Sequence, residues 1–150
     1  MNTELPRLDG LRTLKFAVSD CARSLRFYER VFGAERIAAA DHLDPKGNVY
    51  AYICRVDGLG ILDLRLLPTH AAAAARFDPI SIHVTDKEAL HSWAAHLDQL
   101  GDVRHSGVFA TGLTWALAIE DPDGRYIKLF SREGHGPEIQ ADKDNPWMKN

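Results

Sequence analysis

Ile119-Glu120-Asp121-Pro122-Asp123-Gly124-Arg125-Tyr126-Ile127-Lys128-Leu129-Phe130 reads as a tight acidic turn feeding a short alternating strand. Proline presets φ, aspartate bonds its own backbone, and glycine accepts conformations that other residues avoid, so residues 121–124 turn the chain. Beyond the turn, Ile127 and Leu129 should face a core, with Tyr126 and Lys128 on the opposite side. A lysine projecting from such a strand needs a reason.

Working outward, the same grammar occurs twice. In the first half, Leu14, Phe16 and Val18 alternate with Thr13, Lys15 and Ala17, which predicts a strand. Ser19 or Asp20 then caps a helix whose apolar stripe is Cys21, Leu25, Tyr28 and Phe32, and Gly33 ends it. Three extended stretches follow, over residues 37–42, 49–56 and 61–67, with Asp57-Gly58 turning into the last. There Leu62, Leu64 and Leu66 share one face, and Asp63 and Arg65 the other. The alanine-containing segment 68–78 reads as a linker between the halves, with room for one helical turn. The second half then repeats strand, helix and three strands. Ile80, Ile82 and Val84 alternate with Pro79, Ser81 and His83. Thr85-Asp86-Lys87-Glu88 fits a capping box, and Leu90, Trp93, Leu97 and Leu100 form a helical stripe. Strands are expected over 103–108, 113–119 and 126–130. Asp20 and Asp86 stand 66 residues apart, as do Val18 and Val84, and Gly58 and Gly124. Two βαβββ units in one chain should form a curved mixed sheet around a central cleft, an α+β fold.

Length and composition agree with one domain. The chain has 150 residues, 45% of them hydrophobic and 26% charged. Its modules are expected at about 12–68 and 79–131, with a linker over 69–78 and a polar tail over 132–150 in which Trp147 and Met148 are candidate anchors. A formal charge of −3 leaves no basic footprint for nucleic acid. Without a long apolar run or a basic leader, neither a membrane span nor export is expected, and a cytoplasmic location is. The two cysteines, Cys21 and Cys54, lack metal-knuckle spacing and read as small buried apolar residues.

Val18-Ser19-Asp20, Arg23-Ser24-Leu25, Phe27-Tyr28 and Phe32-Gly33 resemble the first-module signature of the vicinal oxygen chelate superfamily, and Asp121-Pro122-Asp123-Gly124 with Ile127 and Leu129 resembles its closing signature. That superfamily contains glyoxalase I, extradiol dioxygenases, and fosfomycin and bleomycin resistance proteins. The resemblance spans roughly residues 12–131 and implies the paired-module fold, a cleft for a small molecule and a homodimer. It also implies metal-ligand positions on the first and fourth strands of each module, which match Thr13, Asp63, Pro79 and Lys128. Only Asp63 is a normal ligand. An ammonium about 4 Å from a dication costs on the order of 8 kcal/mol at an effective dielectric of about 20, more than one carboxylate supplies. The expected set therefore contains no metal ligand and no cofactor.

The residues themselves supply the remaining candidates. Asp63 and Lys128 form either an ion pair in the cleft or a solvated pair at its mouth worth roughly 0 to 1 kcal/mol. Lys128 could hold an anionic ligand group, whereas a Schiff base needs a neutral amine that a nearby carboxylate disfavours. His83 is either a general base with Lys128 as its catalytic partner, or a polar wall residue. Thr13, Lys15, Asp63 and Arg65 are candidate ligand contacts, as are the aromatics Trp115 and Tyr126, for which core packing competes. A displaced metal site built from His42, His83, His105 and Asp63 is a lesser alternative. Two functional classes follow. One is a metal-independent binder of an aromatic or planar organic molecule; the other is a glyoxalase-like lyase, isomerase or dioxygenase with displaced ligands or metal-free acid-base chemistry.

Overall fold

Each half of the repeat builds its own sheet in this computed structural model, which describes residues 4–148. The first module comprises β1 (Leu14–Val18), α1 (Cys21–Phe32), β2 (Glu35–Arg36), β3 (His42–Leu43), β4 (Val49–Val56) and β5 (Gly60–Leu66). After α2 (Pro68–Ala73) come β6 (Ile80–Val84), α3 (Lys87–Leu100), β7 (Phe109–Ala110), β8 (Thr114–Glu120) and β9 (Tyr126–Gly134). The sheets run β1-β5-β4-β2, with β3 also on β4, and β6-β9-β8-β7. Their β1–β5 and β6–β9 pairs are parallel and the other pairs antiparallel, so both sheets are mixed and the fold is α+β.

The repeat is offset by 66 residues at its start and 65 at its end. Leu14 pairs with Leu62, and Ile80 with Ile127. This one-residue slip makes Asp63 the equivalent of Lys128: each is flanked by two core residues on its own strand, Leu62 and Leu64 or Ile127 and Leu129.

The two longer helices, α1 and α3, are capped by aspartate. Asp20 accepts from Arg23 N at 2.9 Å and Asp86 from Ala89 N at 2.8 Å, so Asp86 rather than Thr85 takes the capping position. Gly33 closes α1 at φ +67, a left-handed conformation that glycine adopts without strain. Leu25 and Val31 of α1, Leu90 and Leu97 of α3, and the inward residues of both sheets form one continuous core.

Four expectations change. Residues 37–42 are not a strand: Ala38–Ala40 make a 3-10 turn between the short β2 and β3, because alanine prefers helical backbone and gives a strand no side chain to pack. The supposed linker holds α2, begun by Pro68 in the first turn and docked through the fully buried Ala71. Residues 103–108 run beside β8 with a single bridge, His105 to Ile119, since the Ser106 hydroxyl takes the amide of Ala118 in place of a ladder bond. Finally, β9 continues to Gly134, so the start of the expected tail is strand.

The turn that organises the sequence also clasps the modules together. The buried Asp121 carboxylate accepts from Tyr28 Oη and Arg125 Nε, each at 2.9 Å, and from the amides of Asp123 and Arg125. Both Nη atoms of Arg125 donate to Ala17 O at 2.9 Å, and its guanidinium lies 4.6 Å from the Phe16 ring centroid. Every polar atom of this clasp faces a partner, which is what makes a buried charge tolerable. Burial, and then the neighbouring Asp121 charge, holds the Tyr28 hydroxyl well above its ordinary pKa.

Candidate functional site

Each sheet turns one face to the shared core, so Asp63 and Lys128 project from the other face of their sheets. On the first, Asp63 is almost fully buried and accepts from Arg65 Nη2 at 2.8 Å. The same Nη2 lies 3.1 Å from His42 Nδ1, and the guanidinium sits 5.7 Å from the Tyr50 ring centroid. Thr13, Lys15, His42, Ile53 and Asp63 line a cavity of about 490 Å³ over this face. The first face therefore joins an apolar floor to a carboxylate, an ammonium, a hydroxyl and an imidazole. Arg65 borders that set through its bonds to Asp63 and His42.

On the second sheet, Lys128 Nζ donates to Asp78 Oδ2 at 3.0 Å, and its side chain is only 5% exposed. Its cross-strand neighbours are Ser81 and Ala118. Tyr126, two residues along the same face, packs against Trp147 with ring centroids 4.7 Å apart and planes tilted by 42°. Asp142 N donates to Ala110 O at 3.0 Å, so the tail runs back across this sheet and is anchored on the domain through Trp147. His83 is exposed and lines a separate cavity of about 310 Å³ with Ser81, Thr114, Phe130 and Ser131.

The sequence candidates thus fall into two groups. Thr13, Lys15, Asp63 and Arg65 gather on the first face; His83, Tyr126 and Lys128 lie on the second. The expected Asp63–Lys128 ion pair does not form in the chain, because each charge has a partner in its own module. Trp115 is not a cleft residue. It alternates with Leu117 and Ile119 toward the core, under Lys87 Nζ at 3.7 Å and beside the His135 ring. His105 is committed elsewhere, at 2.7 Å from Asp98 Oδ1. Sequence reasoning missed Asp78, assigned to a linker, and missed His42 as the neighbour of Arg65. The parallel register that sets Ser81 beside Lys128 is what carries Asp78 to it, and that register is invisible before β6 and β9 are paired.

The donor set does not fit the metal that the fold implies. At the four equivalent positions stand Thr13, an Asp63 carboxylate bonded to a guanidinium, Pro79 with no side-chain donor, and an ammonium. Among the described residues, no group of three or more His, Cys, Asp or Glu side chains could hold an ion. The cysteines are no better placed: Cys54 is fully buried, and burial pushes its thiol up to about 11. Burial first, then Asp20, also raises the Cys21 thiol.

Among the described residues, no helix is long and apolar enough to cross a membrane. No curated protein matches the chain. Several solved structures share its fold. A fosfomycin resistance protein, FosX from Listeria monocytogenes, complexed with manganese and dihydroxypropylphosphonic acid, is 16% identical with a TM-score of 0.66 over 85% of this chain and 95% of its own. TnmS3, an antibiotic binding protein from Streptomyces, is 21% identical with a TM-score of 0.66 over 86% and 100%. A lactoylglutathione lyase from Agrobacterium tumefaciens is 17% identical with a TM-score of 0.59 over 85% and 96%. At these identities the likeness is one of fold. A family model matches residues 10–129, from just before β1 to the core leucine that follows Lys128. With 120 of its 150 residues inside that match, the chain belongs to the Glyoxalase/Bleomycin resistance protein/Dioxygenase superfamily.

Proposed function

We propose that this protein binds a small planar organic molecule, without a metal, in the cleft formed by its sheet faces. The observation that carries the reading is the pair of engaged charges where metal ligands would stand: Asp63 on Arg65, and Lys128 on Asp78. The first face supplies the pocket, large enough for a small ligand at about 490 Å³, with Ile53 as apolar floor and Thr13, Lys15 and Asp63 as orienting groups. Arg65 and the Tyr50 ring extend it at the edge.

The working unit of this reading is a homodimer. The cavity that holds Thr13, Lys15 and Asp63 takes no lining residue from the second sheet, and His83 lines others. Leu5, Leu8 and Leu11 are 84, 96 and 77% exposed, an apolar edge that a second copy would cover. The enzyme reading draws on one feature, the exposed imidazole of His83 on its own cavity, a placement suited to a general base.

The test is equilibrium binding of planar aromatic compounds in buffer containing a chelator, with recovery of the compound afterwards. The reading expects saturable binding of one ligand per chain, weakened by Asp63→Asn, and unchanged compound at the end. Product formation that is lost in His83→Ala would replace it with the enzyme reading.

A further inference from the structure

A groove of about 340 Å³ lies away from both cleft faces, between α1 of the first module and two loop segments of the second. Arg23, Arg26 and Arg30 enter it from one side of α1, spaced three and four residues apart, and Arg104 enters from across. Phe27, Val103 and Pro122 make its apolar walls.

Three of these arginines are held by carboxylates at the rim: Arg23 by Asp123 at 3.3 Å, Arg30 by Asp102 at 2.8 Å and Arg104 by Glu120 at 2.7 Å. Arg26 makes no ion pair or side-chain hydrogen bond among the described residues, so the groove carries one uncompensated cation. Arg104 faces Glu120 as an ion pair without a hydrogen bond and Arg23 spends Nη2 on Asp123 and Ser19, which leaves both with further N–H donors. The result is a groove with one free guanidinium and three held by carboxylates, over an apolar wall. Planar forks arranged this way suit the oxygens of a phosphate.

We propose that the groove is a second binding site, selective for a small organic phosphate monoester whose apolar body packs on Phe27, Val103 and Pro122. Because its walls come from both modules, an occupied groove bridges them. This site is independent of the cleft and of what the cleft binds.

The experiment is calorimetric titration of the full chain with phenyl phosphate at constant ionic strength, on the parent, Arg26→Gln and Arg55→Gln. Arg26 and Arg55 are both exposed, and Arg55 is paired with Glu35 outside the groove, so both variants should fold as the parent does, which circular dichroism checks. Saturable binding at one site per chain is expected, about tenfold or more weaker in Arg26→Gln, the scale of one lost charge-assisted hydrogen bond. Arg55→Gln and the cleft variant Asp63→Asn should bind as the parent does. Absence of saturable binding at millimolar ligand, or equal affinity in Arg26→Gln and the parent, would overturn the proposal.

Discussion

Asp63 and Lys128 hold equivalent places on the last strand of each module, yet the faces around them differ in sign and in access. The first centres on a carboxylate clamped by Arg65 beneath a cavity of about 490 Å³. The second centres on an ammonium tied to Asp78, with Trp147 packed against Tyr126 along the same face. One scaffold, repeated once, has placed opposite charges at positions where a dication would need donors from both. The difference puts the larger cavity on the first module and leaves the second face charged, with the tail segment across it.

Reversing the charge on the second face should have the largest effect. Lys128→Glu would set two carboxylates together at a buried point, and we expect it to cost about 3 kcal/mol or more, against about 1 to 3 kcal/mol for Lys128→Met. Urea unfolding with matched slopes measures both. Equal losses would mean that the Lys128 face is solvated and that the contrast with Asp63 is weaker than drawn.

The clasp that fixes the two faces relative to each other comes next. Tyr28→Phe removes a buried hydrogen bond to Asp121 and should cost about 1 to 2 kcal/mol. The sign of its pH dependence follows from the raised pKa of Tyr28. The folded state keeps the phenol proton above pH 10.0, where the unfolded chain loses it. This contribution is therefore complete below the unfolded pKa and is lost as pH rises toward the folded one. The parent should lose stability above about pH 10, and Tyr28→Phe should lose less over the same range. Parallel curves for the two proteins would contradict the buried assignment.

The smallest effect is expected at the tail. Trp147→Ala deletes an aromatic contact worth about 0.5 to 1.5 kcal/mol beyond its burial. Amide exchange should rise in residues 126–128, with little change around Asp63. Unchanged exchange there would show that the tail does not protect the second face.

Much of this was readable from the residues because it is local. Capping aspartates, Gly33 and the strand alternation all act within a few positions of themselves, and they placed α1, α3 and the long strands. Failures came where side chain or register overrides pattern. Ala38–Ala40 turned instead of extending, Ser106 displaced a ladder bond, and Trp115 went to the core with Leu117 and Ile119. The site was readable as a set of faces, not as pairs. All the candidates were expected around one cleft; Thr13, Lys15 and Asp63 line one cavity with Arg65 at its edge, and Tyr126 and Lys128 lie on the other sheet. The partners Asp78 and His42 depend on how strands pair in space, which no spacing along the chain reveals.

The most direct test of the central claim is the metal content of the purified protein after incubation with iron, manganese, nickel and zinc, read by elemental mass spectrometry and repeated on Asp63→Asn. The account predicts no stoichiometric metal in either protein, with planar-ligand binding unaffected by chelator. One metal per chain in the parent, lost in Asp63→Asn, would contradict it and make the first face a metal centre.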